Sequence, residues 1–461
     1  MSPPSIQERA LIAWSDELLR PSPRPRVSPP LERALSLMIW LSLGLCVWAL
    51  LSPRSVEELS HQLGAWVTLG LTFGLLWFSV TLSWVTRRAH AELGGDVHLA
   101  TRGVYDQGYS ARGLSAWLIA GVLTGLYVCL YRYPTLLSGW VQLINPLSLW
   151  LSDGVADHWF LYSALYSGAV LSYGVRVALK GRRSPYVLLR TASVCLAQLG
   201  LAFLLPYLFK SRGLPEFYPS YFWPLKPDYL LPFDYVIHPE TGLASAQWGG
   251  LQVGRAMLLW GAVMSFIATP LLTYRFGKRW YCSWVCGCGA LAETAGDPWR
   301  HLSPRGASAR SWERWISGGV LALIIGLTIL LWGNELSGRA LLGADGSALF
   351  WDSYGLLVMM SFSGVIGVGL YPLLGSRSWC RFGCPQAAIL GALQVLFKRF
   401  HIKTEPDACV SCGLCSHVCE MGIDVRSYAQ TGEVVLRASC VGCGACEEVC
   451  PRGVIQLSSR P

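Results

Sequence analysis

Thirteen of the sixteen cysteines in this 461-residue chain fall between positions 282 and 450, in short-spaced sets. The last eight form two runs. Cys409-x2-Cys412-x2-Cys415-x3-Cys419 is followed by Cys440-x2-Cys443-x2-Cys446-x3-Cys450-Pro451. Three cysteines on a tight loop can face one cube of iron and sulfide, while the fourth, past a short turn, reaches the other cube. The spacing predicts two [4Fe–4S] clusters, one on Cys409, Cys412, Cys415 and Cys450, the other on Cys440, Cys443, Cys446 and Cys419. Gly413, Gly442 and Gly444 would let the backbone wrap closely and aim amides at the sulfurs, and Val434–Leu436 is expected to form a short strand between the halves. The first run closes on Cys419-Glu420, without the proline that closes the second. Zinc prefers separate C-x2-C pairs with a long spacer, which this three-plus-one spacing does not match. Disulfide frameworks belong to small secreted domains, so these runs point to a reducing compartment.

Two further sets lie upstream. Cys282, Cys286 and Cys288 sit in the run from Arg279 to Gly289, and Cys380 and Cys384 sit in Trp379-Cys-Arg-Phe-Gly-Cys-Pro385. Each contains C-x3-C, which puts two thiols on one helix face. Both follow apolar stretches that run in the same direction and end at the same membrane surface, so their thiols could meet. Five thiols exceed the four that a third cluster needs. The readings are a third cluster, a redox-active thiol pair, or structural thiols closing helix ends. Cys46, Cys129 and Cys195 stand singly in apolar stretches and read as small buried apolar residues.

The elements that must position these cysteines are set by composition. Hydrophobic residues make up 52% and charged residues 14%, against about 25% charged in soluble domains. Mean hydropathy is +0.40. This excludes an ordinary soluble enzyme, a disordered chain and a fibrous repeat. The 21 Trp, 19 Tyr and 15 Phe suit membrane–water interfaces. A helical span needs about 20 apolar residues, and eight stretches qualify: 34–51, 64–85, 114–131, 158–179, 191–209, 256–274, 315–333 and 355–374. With the N-terminus in the cytoplasm, the inner segments hold 29 Lys and Arg and the outer ones 7. That asymmetry fits the enrichment of cytoplasmic segments in Lys and Arg. The net charge of +9 then reports membrane orientation, and no nucleic-acid partner is expected.

The chain thus divides into a flexible Pro-rich cytoplasmic arm, 1–33, with no apolar signal core; a transmembrane helical domain, 34–374; a Cys-containing interfacial segment, 375–400; and a soluble tail, 401–461. Residues 386–400 read as a helix along the inner membrane surface. The aromatic, Pro-rich connection 210–255 reads as a cap on the outer helix ends, or as a docking surface or quinone-site lid, and 132–157 as a re-entrant candidate. None of the eight histidines lies deep inside a span, so no facing pair can hold a b-type haem. There is no C-x-x-C-H, Walker A or dinucleotide fingerprint.

Polytopic spans, C-x3-C sets at helix ends and the doubled cluster motif resemble the NosR/NapH-like membrane iron–sulfur proteins, over residues 255–461. The family pattern carries two C-x3-C-P motifs. Cys380–Pro385 fits, whereas Cys282–Cys288 has Gly287 in place of the proline and an added Cys288, which favours a ligand role for that thiol. No outer segment is long enough for the flavin domain of NosR-like members, so the layout is closer to NapH with additional spans. The expected fold is mainly α, a bundle of about eight spans with a small C-terminal α+β domain like bacterial ferredoxins. The resemblance implies a multi-pass protein of the bacterial inner membrane, both termini cytoplasmic. It would pass electrons between a cytoplasmic donor or partner and the quinone pool or a membrane respiratory partner. It would be an electron-transfer component rather than a stand-alone enzyme, with two [4Fe–4S] clusters, a third at the five upstream cysteines as an option, no haem and no flavin. The rival readings are a maturation factor that reduces metal or thiol groups for another enzyme, and an iron–sulfur redox sensor.

Overall fold

The computed structural model describes residues 29–93, 113–182, 184–226, 229–230, 247–248, 251–338, 340–343, 346, 349, 353 and 355–458. The expectations for the arm up to residue 28, and for 231–246 of the aromatic connection, lie outside the described residues.

Six helices are long and apolar enough to cross a membrane. They are α1 (Arg33–Leu51), α2 (Ala65–Thr86), α3 (Leu114–Arg132), α5 (Pro185–Lys210), α6 (Arg255–Phe276) and α8 (Ala307–Asn334); the short α7 (Gly287–Glu293) lies between the last two in sequence. Large apolar side chains such as Trp40, Trp117, Val122 and Trp315 are exposed on them, as faces that meet lipid tails require. The fourth expected span is a helix, α4 (His158–Lys180), N-capped by Asp157, whose Oδ1 accepts the Phe160 N–H at 2.7 Å. It has the length of a span but carries serines, Arg176 and Lys180, and it falls outside the six. The eighth expected span is not one regular helix. Gly355–Gly369 winds in wider turns and the chain breaks at Leu370 before Tyr371–Leu374, a stretch whose glycines weaken helix formation. The fifth span starts earlier than hydropathy alone indicates, because Ser184 caps it and Pro185 takes the first turn.

The aromatic connection corrects the cap reading. Residues 214–226 insert between helices. The Trp223 indole N–H donates to Thr328 Oγ1 of α8 at 3.0 Å. Ser265 Oγ, midway along α6, donates to the Trp223 carbonyl at 3.2 Å. Tyr281 OH donates to the Ser220 carbonyl at 2.8 Å. Irregular backbone at such depth is tolerated only where protein groups satisfy it, and these bonds do so.

α9 (Pro385–Phe397) does not lie free along a surface. It packs against α6 and α8 and buries Ala387, Leu390, Gly391 and Gln394. Gln394 ties the tail to the bundle: its Oε1 accepts the Lys278 backbone N–H at 2.8 Å and its Nε2 donates to the Arg437 carbonyl at 2.9 Å. In the tail, β1 (His401–Thr404) pairs antiparallel with β2 (Ile455–Ser458). Val435 makes only an isolated bridge to Ile402. The expected strand at 434–436 fails because the Leu436 N–H turns back to the Val434 carbonyl at 3.1 Å.

Candidate iron–sulfur centres

The two halves of the tail repeat one local design. Gly413 and Gly444 hold φ of 80° and 81°, each opening a four-residue helix, Leu414–His417 and Ala445–Glu448. That left-handed conformation favours glycine. It lets each run curl around a centre. Cys409, Cys412, Cys415 and Cys450 line one pocket at the tail's surface, with Arg426 and Pro451. Burial pushes the Cys446 thiol up, and nearby Cys443, Cys419 and Cys440 push it further. The fourth cysteine of each run thus crosses to the other run's loop.

Cys282, Cys286, Cys380 and Cys384 converge although they come from two separate segments. All four are buried, in one hydrophobic core with Phe222, Tyr281, Trp379 and the tail residues Cys415, Cys440 and Cys446. Cys282 ends the short helix Arg279–Cys282, and Cys384 N-caps α9, its Sγ accepting from Ala387 N at 3.4 Å. Burial pushes the Cys282 and Cys380 thiols up to about 11. The first set does not stop at a membrane surface. Ser193 Oγ donates to the Trp284 carbonyl at 3.1 Å and Gln198 Nε2 to the Val285 carbonyl at 2.6 Å, so the loop climbs to the middle of α5. Gln198 lies in a wide-turn stretch of that helix, Ala197–Leu204.

Cys288 joins this group from one side only. It is partly buried at the edge of their core, where its side chain reaches Cys286 and faces Tyr166 and Tyr221. Gly287 explains the missing proline. A Cβ there would run into the Tyr221 hydroxyl, and the Tyr166 hydroxyl donates to the Gly287 carbonyl at 2.5 Å.

A buried ion network, unforeseen from the sequence, joins the cysteine groups. Asp297 takes Arg176 at 3.2 Å, Lys180 at 3.2 Å and Arg300 at 3.0 Å. Arg377, wholly buried, pairs with Glu293 at 2.5 Å and Glu420 at 3.1 Å. Its Nη1 also meets the Cys282 carbonyl at 3.2 Å and Cys380 Sγ at 3.7 Å. Arg190 pairs with Glu293 at 2.9 Å and donates to the Cys443 carbonyl. Burial works against the Glu420 charge, but Arg377, Arg300 and Arg190 outweigh it and lower its pKa. One sequence signal pointed here: Glu420 stands where the second run has its proline.

The groups fit iron–sulfur cubes. Arg377 Nε, Trp379 Nε1 and Gln386 Nε2, beside Cys380 and Cys384 in sequence, are buried donors with no acceptor in the protein. Thiolate and sulfide sulfurs accept such bonds. Among the described residues no three His, Cys, Asp or Glu side chains close in on a single-ion point. A mononuclear zinc draws its thiolates to about 2.3 Å, whereas a four-iron cube spreads them around a larger body.

Comparison with known proteins bears on the same residues. Residues 408–455 match the family described as the 4Fe-4S dicluster domain. Residues 258–305 and 356–403 each match the 4Fe-4S binding domain, and each match contains one C-x3-C set. The chain carries 4Fe–4S ferredoxin-type domains. It is also 26% identical over 213 residues to YccM of Escherichia coli (strain K12), named as an electron transport protein. That match covers 44% of this chain and 56% of YccM, so the chain spans little more than half of that curated relative. No solved structure matches the chain.

Proposed function

We propose that the chain is a membrane-bound electron-transfer protein with three [4Fe–4S] centres. Cys409, Cys412, Cys415 and Cys450 hold the first, and Cys440, Cys443, Cys446 and Cys419 the second. Cys282, Cys286, Cys380 and Cys384 hold the third. Bound cubes of this kind supply one-electron transfer. The observation that carries the reading is the single buried core that holds both the membrane quartet and Cys415, Cys440 and Cys446 of the tail.

The residues divide the remaining work. The first pocket opens at the tail's surface, where a soluble donor or partner can approach. The quartet is buried and excludes water, and the second group is buried in part. The membrane helices carry the path to the quinone pool or a membrane respiratory partner, in a layout like NapH. Eight crossings, with both termini in the cytoplasm of a bacterial inner membrane, agree with the 29-to-7 distribution of Lys and Arg. The reading requires neither haem nor flavin.

The test is electron flow in sealed proteoliposomes. A reduced soluble ferredoxin on the tail side should reduce a quinone analogue in the bilayer, and protein lacking Cys412 should not support it. Equal rates with and without the protein would refute the proposal. The contact between Cys286 and Cys288 favours a second reading, a thiol reductase serving another enzyme's maturation. Thiol titration with clusters intact separates the two, since a third cluster leaves Cys288 as the one reactive member of the five.

A further inference from the structure

We propose that Arg377 and Glu420 are positioning residues of an electrostatic bridge that locks the tail's second centre to the membrane quartet and sets the potentials of both. This rests on the reading that both cages hold clusters.

Two buried links connect the cages. Glu420 directly follows Cys419, is fully buried, and leaves the tail to meet Arg377 at 3.1 Å and Arg300 at 3.5 Å. Arg377 then touches the quartet, at the Cys282 carbonyl and Cys380 Sγ. The other link runs from the Cys443 carbonyl through Arg190 and Glu293 to the same Arg377. A proline after Cys419 could make neither of the Glu420 contacts, so the departure from the second run's Cys-Pro is the latch itself.

Charge balance gives the bridge an electrical role. Among the described residues, Arg377 sits between Glu293 and Glu420 and also meets Cys380 Sγ. Buried cations such as Arg377 and Arg190 are costly unless an anion lies close. Four thiolates around a cube whose core is doubly positive leave two negative charges. The cages adjoining Arg377 and Arg190 supply that counter-charge. Reduction adds one electron, hence one more negative charge, to a site screened poorly by solvent. Arg377 stabilises that state and Glu420 opposes it.

The signs are therefore opposite. In potentiometric EPR on the full-length protein, Arg377→Gln should make reduction of the quartet's cluster at least tenfold less favourable, about 59 mV for one electron. Glu420→Gln should shift the second centre's reduction tenfold the other way, and the double variant should fall between the two. Arg377→Lys, which keeps the charge, should stay near wild type. Unchanged potentials, or shifts of one sign in both variants, would overturn the bridge. If Arg377→Gln loses its iron, the sign of the Glu420→Gln shift decides alone. A wild-type protein with no cluster signals would instead refute the underlying functional reading.

Discussion

The tail and the membrane quartet hold the same kind of ligand set in contrasting ways. In the tail, each run carries three of its four thiols on one short loop, and the first pocket opens to solvent. In the membrane domain, two pairs of thiols arrive from segments on either side of α8, are closed off from water, and lean on a buried ion network. The first arrangement is local and accessible to a soluble partner. The second exists only when the whole bundle has assembled. In the proposed reading the difference separates an exposed electron port from a shielded relay.

Several substitutions break or sharpen that contrast. The largest effect is expected from Cys380→Ala, which should remove about four irons per chain and stop delivery to the bilayer. The tail's EPR signals should remain; their loss as well would mean the two regions are not separate cages. Asp297→Asn leaves Arg176, Lys180 and Arg300 facing no carboxylate at that position. A buried pair broken on one side costs about 3–5 kcal/mol, to be read as a lowered unfolding midpoint in detergent. A comparable change at exposed Glu57, Glu57→Gln, should be silent. Gly287→Ala forces a methyl against Tyr221. Overpacking of this kind costs about 1–3 kcal/mol, and the quartet's cluster should become more labile to chelators than those of the tail. Cys288→Ser should have the smallest effect, with iron content unchanged. A loss of four irons there would make Cys288 a ligand after all.

Legibility in the sequence followed the same divide. The tail's thiol groups were readable because spacing within one loop dictates which side chains can face one point. Convergence of Cys282, Cys286, Cys380 and Cys384 was open as a possibility, since parallel spans end at one level. The surroundings of Cys288 were not readable: they include Tyr166 and Tyr221, and Tyr221 arrives on a segment that hydropathy placed at the opposite helix ends. The ion network was hidden for a similar reason. Arg176, Arg190, Glu293 and Arg377 look like helix-end charges one at a time, and only the packing of the tail onto the bundle brings Glu420 among them. The broken helix at 355–370 escaped because apolarity measures suitability for lipid and is blind to how the turns are wound.

Three centres along one path is the central claim, and iron and acid-labile sulfide content with low-temperature EPR on the anaerobically purified full chain tests it most directly. The account predicts about twelve irons per chain, four for each cube, with a third signal that disappears in Cys380→Ala. About eight irons, with Cys282, Cys286, Cys380 and Cys384 all open to alkylation, would contradict it.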